Sequence, residues 1–273
     1  MEELSRARPG AGAAEPELRV AANAEELMRL AADVFVASLS AAAAAAAPGG
    51  PRSRRASVAL AGGSTPRGLY RLLAAPGEPY RGCLLWEHIH FFWGDERHVP
   101  PDHPDSNFRM ARETMLDPAA VPPGNVHRIP AEEPDAGSAA ARYEAELVRF
   151  FALAPGERPR FDLVLLGLGE EGHTASLFPG SPVLDERTRL AAAPWVEAHR
   201  EFRITLTPPA INGAALVAFL VSGEAKAAAL AAVLEGELRP ERYPAQIVRP
   251  DSGKLLWLVD RAAASGLSAS AAR

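Results

Sequence analysis

The sequence contains very little cysteine and no excess of basic residues. Among 273 residues, Cys83 is the single cysteine, so neither an internal disulfide nor a cysteine-based metal cluster can form. Such cysteine usage is typical of a reducing compartment, and we expect the protein in the cytoplasm. Lysine and arginine number 29 against 34 acidic residues, a net charge of -5. This charge predicts no nucleic-acid partner, and any bound anion must be met by a few locally placed cations.

Long hydrophobic runs are also absent. A membrane-spanning helix needs about 18 or more consecutive apolar residues, and the alanine-rich stretch 41–47 is too short and too weakly apolar. The first ten residues, MEELSRARPG, are charged and lack the apolar segment of a signal peptide. We therefore expect no membrane partner.

What the chain does contain is an alternation of short apolar runs and longer helix-compatible stretches. The runs, rich in β-branched and aromatic residues, are Leu18–Ala21, Ser57–Leu60, Ile89–Trp93, Leu163–Leu166, Ile204–Leu206, Leu216–Val221 and Leu255–Val259. The helix-compatible stretches include Ala24–Ala46, Arg109–Leu116, Ser138–Phe151 and Ala225–Leu234. This alternation predicts an α/β protein with a largely parallel sheet. No linker separates two regions of different composition, so we expect one domain over residues 16–266, with flexible ends at 1–15 and 267–273.

In an open α/β sheet, ligands bind beyond the carboxyl ends of the strands, so the residues that follow each run are candidate site residues. After the run that ends at Leu60, the letters AGGSTP turn the chain. Ser64 or Thr65 can cap a helix, and Pro66 is tolerated in a first helical turn. The free amides of such a helix start suit a phosphate, although an ordinary capped turn explains the same residues.

The second junction, GDERHVPPDHPDSNF, places three charges directly after a very apolar strand. Asp95, Glu96 and Arg97 are expected at the carboxyl edge of the sheet, as site residues or as a solvated loop. The following loop also holds two histidines and two aspartates, which are usual metal ligands: His98, Asp102, His103 and Asp105. Their spacing fits no helical metal-binding pair, and the prolines between them indicate an irregular loop, so we expect no metal.

The third junction, GLGEEGHTAS, matches the dinucleotide-binding pattern G-x-G-x-x-G. However, Glu170 and Glu171 would repel a pyrophosphate, and prolines follow where a crossover helix and second strand should be. The remaining interpretation is a glycine-rich turn that presents His173, Thr174 and Ser176 at the sheet edge. Histidine is the side chain best matched to proton transfer near neutral pH, and a nearby carboxylate can orient it. His173 is therefore a candidate for proton transfer beside Glu171, although a lone histidine after a strand is more often structural.

The fourth junction, VSGEAKAAAL, places Lys226 in the first turn of a helix, where the helix dipole disfavours a cation. Either Glu224 or a bound phosphate can compensate Lys226, and the sequence leaves both open. Arg203, at the start of another strand, is a further candidate cation. A serine hydrolase is not indicated, because no G-x-S-x-G motif occurs.

Taken in order, five segments closely resemble the glucosamine-6-phosphate isomerase/6-phosphogluconolactonase family: LAGGSTPRGLY, FFWGDERHVPPDHPDSNF, FDLVLLGLGEEGHTASLFPGS, RITLTPPAIN and VSGEAKAAAL. The resemblance extends from about Ala56 to Val259, and GHTASLFPG favours the lactonase members. It implies a three-layer α/β/α sandwich with a mostly parallel, Rossmann-like sheet, similar to glucosamine-6-phosphate deaminase. It also implies hydrolysis of 6-phosphoglucono-1,5-lactone to 6-phosphogluconate without a metal or cofactor.

The resemblance further implies roles for individual residues. His173 would remove a proton from the water that attacks C1, and Asp95 would lie near the reacting end. Glu171 stands where the family usually carries aspartate and would orient His173. The residues implied in binding the phosphate or the developing carboxylate are Gly63, Ser64, Thr65, Arg97, Arg203 and Lys226.

Two alternatives remain open from the sequence. One is an aldose–ketose isomerase or deaminase on the same fold, and the other is a sugar-phosphate binding protein without catalysis. In each case the partner is a small sugar phosphate, and we expect a monomer or weak homodimer.

Overall fold

The computed structural model describes residues 16–45 and 55–268. The strands in these ranges are β1 (Glu17–Ala21), β2 (Ala56–Leu60), β3 (Ile89–Trp93), β4 (Asp95–Arg97), β5 (Leu163–Leu166), β6 (Ala191–Ala192), β7 (Trp195–Val196), β8 (Glu201–Leu206), β9 (Leu216–Val221) and β10 (Lys254–Asp260). The α-helices are α1 (Ala24–Ala45), α2 (Ser64–Ala74), α3 (Pro79–Cys83), α4 (Asn107–Ala111), α5 (Ala136–Phe151), α6 (Pro208–Asn212) and α7 (Ala227–Leu234).

The ends that the sequence predicts as flexible fall mainly outside these ranges. Residues 1–15 and 269–273 are not described. Leu267 packs against the hydrophobic core, and the backbone N–H of Ser268 donates to the Glu235 carboxylate. Residues 267 and 268 are therefore tied to the body of the molecule.

Six strands form a parallel sheet in the order β1-β10-β9-β5-β2-β3. Every residue of β2, β3 and β5 is buried, and strands covered on both faces are expected to be apolar throughout. The helices flank this sheet. The α/β class with a mostly parallel sheet, predicted from the alternation of runs, is confirmed.

The strand order locates the place where a ligand can enter the sheet edge. From β2 the chain moves outward to β3, whereas β5, β9 and β10 follow one another in the opposite direction. The order therefore reverses between the neighbouring strands β2 and β5, which pair at Val58↔Leu163 and Ala59↔Val164. Open α/β sheets bind ligands beyond the carboxyl ends of the strands at such a reversal.

A second, antiparallel sheet in the order β4-β8-β6 lies apart from the first. Its strand β8 contains the apolar run Ile204–Leu206, which the alternation alone placed with the parallel strands. Asp95–Arg97 is likewise a short strand rather than a loop, since Asp95 pairs with Thr205 and Arg97 with Arg203. Apolar content predicts that a segment is a strand, but it does not predict which sheet the strand joins.

Two buried tyrosines fix the strand ends that lead into this region. The Tyr70 hydroxyl donates to the Ala61 carbonyl (2.9 Å) and accepts from its N–H (3.0 Å), just after β2. The Tyr143 hydroxyl makes the same two bonds with Trp93 at the end of β3 (2.8 and 2.9 Å). Burial raises the pKa of both phenols, so they stay neutral and donate. Backbone groups with no strand partner are thereby satisfied at both ends.

Helix boundaries also differ from the sequence prediction at one site-forming segment. The helix expected to begin at Arg109 begins at Asn107, because the Ser106 hydroxyl caps it by accepting from the Arg109 N–H (3.1 Å). It continues as a π-helical turn over Arg112–Leu116. No helix within the described ranges is both long and apolar enough to cross a membrane.

Candidate active site

A pocket of about 230 Å³ opens beyond the carboxyl ends of β2, β3 and β5. The site residues predicted from the sequence that line it are Gly63, Asp95, Arg97, His173, Arg203 and Lys226. Ser64, Thr65 and Glu171 are not among its lining residues. Six of the nine predicted residues, drawn from segments far apart in the chain, therefore meet at the reversal of strand order.

His173 is held by the shape of its own loop. A Cβ at Gly169 would lie 2.0 Å from His173 Nδ1, so a larger residue here would displace the imidazole. The Gly169 N–H donates to the His173 carbonyl at 2.9 Å. On its other side the imidazole stacks on Phe178, with ring centroids 4.2 Å apart. The literal glycine pattern that resembles a dinucleotide loop thus makes space for an imidazole.

The surroundings of His173 keep it neutral but close to negative charge. Its side chain is 24% exposed, and Nδ1 lies 3.2 Å from Glu171 Oε1, yet this nitrogen is buried without an aligned hydrogen bond among the described residues. Burial lowers the pKa of His173, while Glu171 and Asp95 act in the opposite direction. An imidazole that is neutral near pH 7 and beside carboxylates can accept a proton and be stabilised once charged.

Glu171 stays ionised beside it. Partial burial works against its charged form, but the hydrogen bond from its own backbone N–H, together with His173 and Lys226, lowers the pKa of Glu171 below the usual value. Glu171 can therefore orient His173 from outside the pocket, in agreement with its absence from the lining.

Asp95 is the buried acid of the pocket, 8% exposed at the start of β4. Its Oδ2 accepts from the Ser176 hydroxyl at 2.7 Å, and its Oδ1 accepts from Asn107 Nδ2 at 3.3 Å. Sequence reasoning gave no role to Asn107 and noted Ser176 only as a polar residue of the glycine-rich turn. Asn107 lies in the segment HPDSNF, but the irregular, proline-containing loop before it gives no sign that its side chain contacts Asp95.

Glu96, the next residue, shapes the loop without facing the pocket. It is 2% exposed and accepts from the N–H groups of Arg97, Asn107 and Phe108 (each 2.8 Å) and from the Ser106 hydroxyl (3.0 Å). Burial raises the pKa of Glu96, opposed by these four donors. Its carboxylate thus joins β4 to the N-terminus of α4, a contact that a run of three charges does not predict.

Arg97 and Arg203 face each other across β4 and β8 and both line the pocket. Arg203 Nε donates to Glu201 Oε1 at 2.7 Å, and Arg97 Nη1 donates to the Asp105 carbonyl at 2.5 Å. Arg97 Nε is buried without a partner among the described residues. Like charges directly opposite on neighbouring strands repel, so an anion bound between the two guanidinium groups would stabilise them.

Lys226 also lines the pocket, and the carboxylate beside it is one that the sequence did not indicate. Lys226 Nζ lies 3.6 Å from Glu170 Oε1, and the structure gives no ion pair of Lys226 with Glu224. Of the two compensations that the sequence leaves open, an ion pair with Glu224 is therefore not formed in the part of the chain that the structure describes. A residue of the glycine-rich turn reaches across, because the loops after β5 and β9 are neighbours at the sheet edge.

The turn after β2 differs from prediction in its cap. Helix α2 begins at Ser64 with Gly63 as its N-cap, and no side chain caps it. The expectation that Ser64 or Thr65 caps the helix is therefore wrong. Gly63 has a φ of 100°, a conformation that a serine or threonine cap rarely adopts. Of the three residues, Gly63 lines the pocket.

The loop histidines outside the pocket are used structurally. His98 Nε2 lies 2.7 Å from the Glu133 carbonyl, and His103 Nδ1 accepts from the Asp105 N–H at 3.2 Å. Among residues 16–45 and 55–268, no group of three or more histidine, cysteine, aspartate or glutamate side chains is placed to hold a metal ion.

A cationic pocket with a neutral histidine at the reversal point of an open parallel sheet is typical of an α/β enzyme that acts on a small anionic substrate. The family model described as glucosamine-6-phosphate isomerases/6-phosphogluconolactonase matches residues 22–257. A 6-phosphogluconolactonase from Synechocystis sp. is 46% identical over 210 residues, which are 77% of this chain and 84% of that relative. The chain belongs to the glucosamine-6-phosphate isomerase/6-phosphogluconolactonase family.

Solved structures agree with this assignment. A structure of 6-phosphogluconolactonase from Trypanosoma cruzi is 30% identical with a TM-score of 0.79, covering 93% of this chain and 97% of that one. A structure described as a monomeric glucosamine-6-phosphate deaminase is 22% identical with a TM-score of 0.73, covering 92% and 99%. The second comparison bears on the fold alone and confirms the similarity to the deaminase fold.

Proposed function

We propose that this protein hydrolyses 6-phospho-D-glucono-1,5-lactone to 6-phospho-D-gluconate in the oxidative pentose phosphate pathway. The name of the Synechocystis relative supports this reaction. The observation that carries it in the molecule itself is the meeting of His173, Asp95 and the guanidinium groups of Arg97 and Arg203 in one pocket.

In the proposed mechanism, neutral His173 takes a proton from a water molecule as its oxygen attacks C1 of the lactone. The carbonyl becomes a tetrahedral oxyanion, and the bond between C1 and the ring oxygen then breaks. The departing ring oxygen takes the proton back from His173 and becomes the C5 hydroxyl, while C1 becomes the carboxylic acid, which ionises. The negative charge of Asp95 stabilises the imidazolium between the two transfers.

The anionic end of the substrate is assigned to the cations of the pocket. Arg97 and Arg203 present guanidinium groups from adjacent strands, and Lys226 adds a third cation. We assign Gly63, Ser64 and Thr65 to the same anion through the amides at the start of α2. Glu171 orients His173.

The catalytic demand on this site is small. A δ-lactone is an activated ester, and one positioned general base contributes about 10²–10⁴-fold in rate, which is roughly 3–5 kcal/mol of barrier. A covalent nucleophile is not needed to reach such an acceleration.

We further propose that residues 16–266 act as one catalytic domain, since side chains from Ala21 to Ala264 join one hydrophobic cluster. The proposed enzyme works in the cytoplasm as a monomer or weak homodimer, without a cofactor or nucleic-acid partner, in keeping with its single cysteine and net charge of -5. Light scattering of the purified chain tests the oligomeric state.

The test of the proposed function is the disappearance of lactone generated in situ, followed with and without the protein and with a chelator present throughout. Acceleration over the spontaneous rate is expected. Glucosamine 6-phosphate is offered in a parallel assay, with ammonia release as the readout. Ammonia release without lactone hydrolysis would replace the proposal with the deaminase reaction, and binding of 6-phosphogluconate without either turnover would indicate a sensor.

A further inference from the structure

The carboxylate of Asp95 is held from two sides by side chains that come from different segments. Ser176, which is fully buried, donates its hydroxyl to Oδ2 at 2.7 Å. Asn107, 4% exposed, donates Nδ2 to Oδ1 at 3.3 Å and to the Asp95 carbonyl at 3.0 Å. Each oxygen of the carboxylate therefore has its own buried donor.

Ser176 is itself fixed in place. Its N–H donates to Thr205 Oγ1 at 3.3 Å, and Thr205 is the residue that pairs with Asp95 across β4 and β8. The pairing of β4 with β8 thus fixes the backbone position of Asp95. Ser176, which is bonded to Thr205 of β8, fixes the orientation of the Asp95 side chain.

Asn107 has as little freedom as Ser176. Its backbone N–H donates to Glu96 Oε1 at 2.8 Å, and a Cβ at Gly62 would lie 2.0 Å from Asn107 Oδ1. The amide therefore packs flat against the glycine turn after β2, with its nitrogen directed at Asp95. Neither donor can follow Asp95 if the carboxylate rotates away.

We propose that Ser176 and Asn107 are positioning residues that act through Asp95, an inference that rests on the proposed hydrolysis. Both donate to the carboxylate, so they hold its oxygens at one place in the pocket that His173 also lines. Ionised Asp95 in turn favours the protonated form of His173, which the proposed mechanism forms while water attacks. The two donors therefore determine how strongly His173 draws the proton, and their effect falls on turnover rather than on substrate binding.

Two substitutions separate this positioning role from a merely structural one. Ser176→Ala removes one donor, and we expect kcat to fall about tenfold or more, since hydrogen bonds to charged groups are among the stronger ones, with KM within about threefold. Asn107→Asp keeps the shape and the backbone bond to Glu96. It can donate to Asp95 only while protonated, and a carboxyl beside a second carboxylate keeps its proton to higher pH, so its kcat should fall as pH rises through the range in which the wild type stays level.

Ser181→Ala is the matched control. Ser181 lies five residues further along the same loop, and its Oγ is buried without a hydrogen-bond partner among the described residues. Its removal tests loss of a buried hydroxyl as such, and its kcat and KM should equal those of the wild type. Binding of 6-phosphogluconate by calorimetry, within about threefold of the wild-type Kd for Ser176→Ala and Ser181→Ala, checks that both remain folded. Asn107 lines the pocket, so urea denaturation checks the folding of Asn107→Asp instead.

The outcomes are distinguishable. A wild type that does not accelerate lactone hydrolysis contradicts the proposed function. An active wild type whose kcat and pH profile are matched by Ser176→Ala overturns the positioning role alone, as does a Ser176→Ala variant altered only in KM. If Ser176→Ala does not fold, Asn107→Asp decides: a pH profile parallel to that of the wild type overturns the inference.

Discussion

The histidine pair of His90, in strand β3, and His127 differs from His173, in the loop after β5, in how the ring nitrogens are used. His90 Nδ1 lies 2.8 Å from His127 Nε2, and His127 Nδ1 lies 2.6 Å from Glu146 Oε1, in a chain that ends on an ionised acid. His173 has a carboxylate nearby but no aligned hydrogen bond on Nδ1, and it lines the pocket.

Burial acts in the same direction on all three histidines. It lowers the pKa of His90 to about 4, with further contributions from His127 and Arg55, and it also lowers the pKa of His127 and of His173. A depressed pKa therefore does not distinguish a base from a structural histidine. The distinction lies in the pocket, which His173 lines, whereas ring nitrogens of His90 and His127 contact each other and Glu146.

The largest effect is expected from the two histidine-to-alanine substitutions measured side by side. His173→Ala should lower kcat/KM by about 10²–10⁴-fold because it removes the proposed base, whereas His127→Ala should stay within about threefold. Steady-state hydrolysis of freshly generated lactone measures both. Equal losses of kcat/KM in the two variants would contradict the assignment of His173 as the base and His127 as a structural residue.

The next effect is expected from Gly169→Ala. The added methyl would meet His173 Nδ1 at 2.0 Å, so the imidazole must move, and kcat should fall about 10–100-fold because misplaced catalytic groups lose rate steeply. Gly82→Ala is the control, since a Cβ at Gly82 meets nothing within 4 Å. A Gly169→Ala enzyme with wild-type kcat would show that the position of His173 is not critical.

The smallest effect is on stability, and here His127→Ala is expected to lose more than His173→Ala. His127→Ala leaves the partners of both ring nitrogens without their hydrogen bonds and removes a ring stacked on Phe92 with centroids 4.4 Å apart. We expect a loss of about 2–3 kcal/mol in the free energy of unfolding, measured by urea denaturation. His173→Ala should lose less than about 1 kcal/mol. A larger loss in His173→Ala than in His127→Ala would reverse the structural assignment.

The sequence predicted the parallel sheet well and the second sheet poorly. The bounds of β3, β5 and β9 are those of the apolar runs, because strands buried on both faces are apolar throughout. The run that became part of β8 looks the same in composition. Its antiparallel partner β4 is the charged segment Asp95–Arg97, which carries no apolar signal at all.

The sequence predicted the site residues that closely follow a strand. It did not predict the residues that reach the site from distant parts of the chain. Asp95, Arg97 and His173 lie two, four and seven residues after a predicted strand end. Asn107 reaches Asp95 over 12 residues, and Ser176 reaches it over 81. Such contacts depend on the tertiary fold. The same holds for the ion pair of Lys226, which forms with Glu170 and not with the neighbouring Glu224.

The most direct test of His173 as the base is the pH dependence of kcat/KM for the wild type divided by that for His173→Ala. The division removes the titration of the substrate phosphate, whose second pKa is near 6 and is common to both enzymes. Because burial lowers the pKa of His173 below its usual 6.5, the neutral base persists as pH falls past 6.5. The ratio should therefore stay level from about pH 8 to below 6.5 and then fall about tenfold per unit. A ratio that is flat at all pH values, or that already falls above pH 7, would contradict the account.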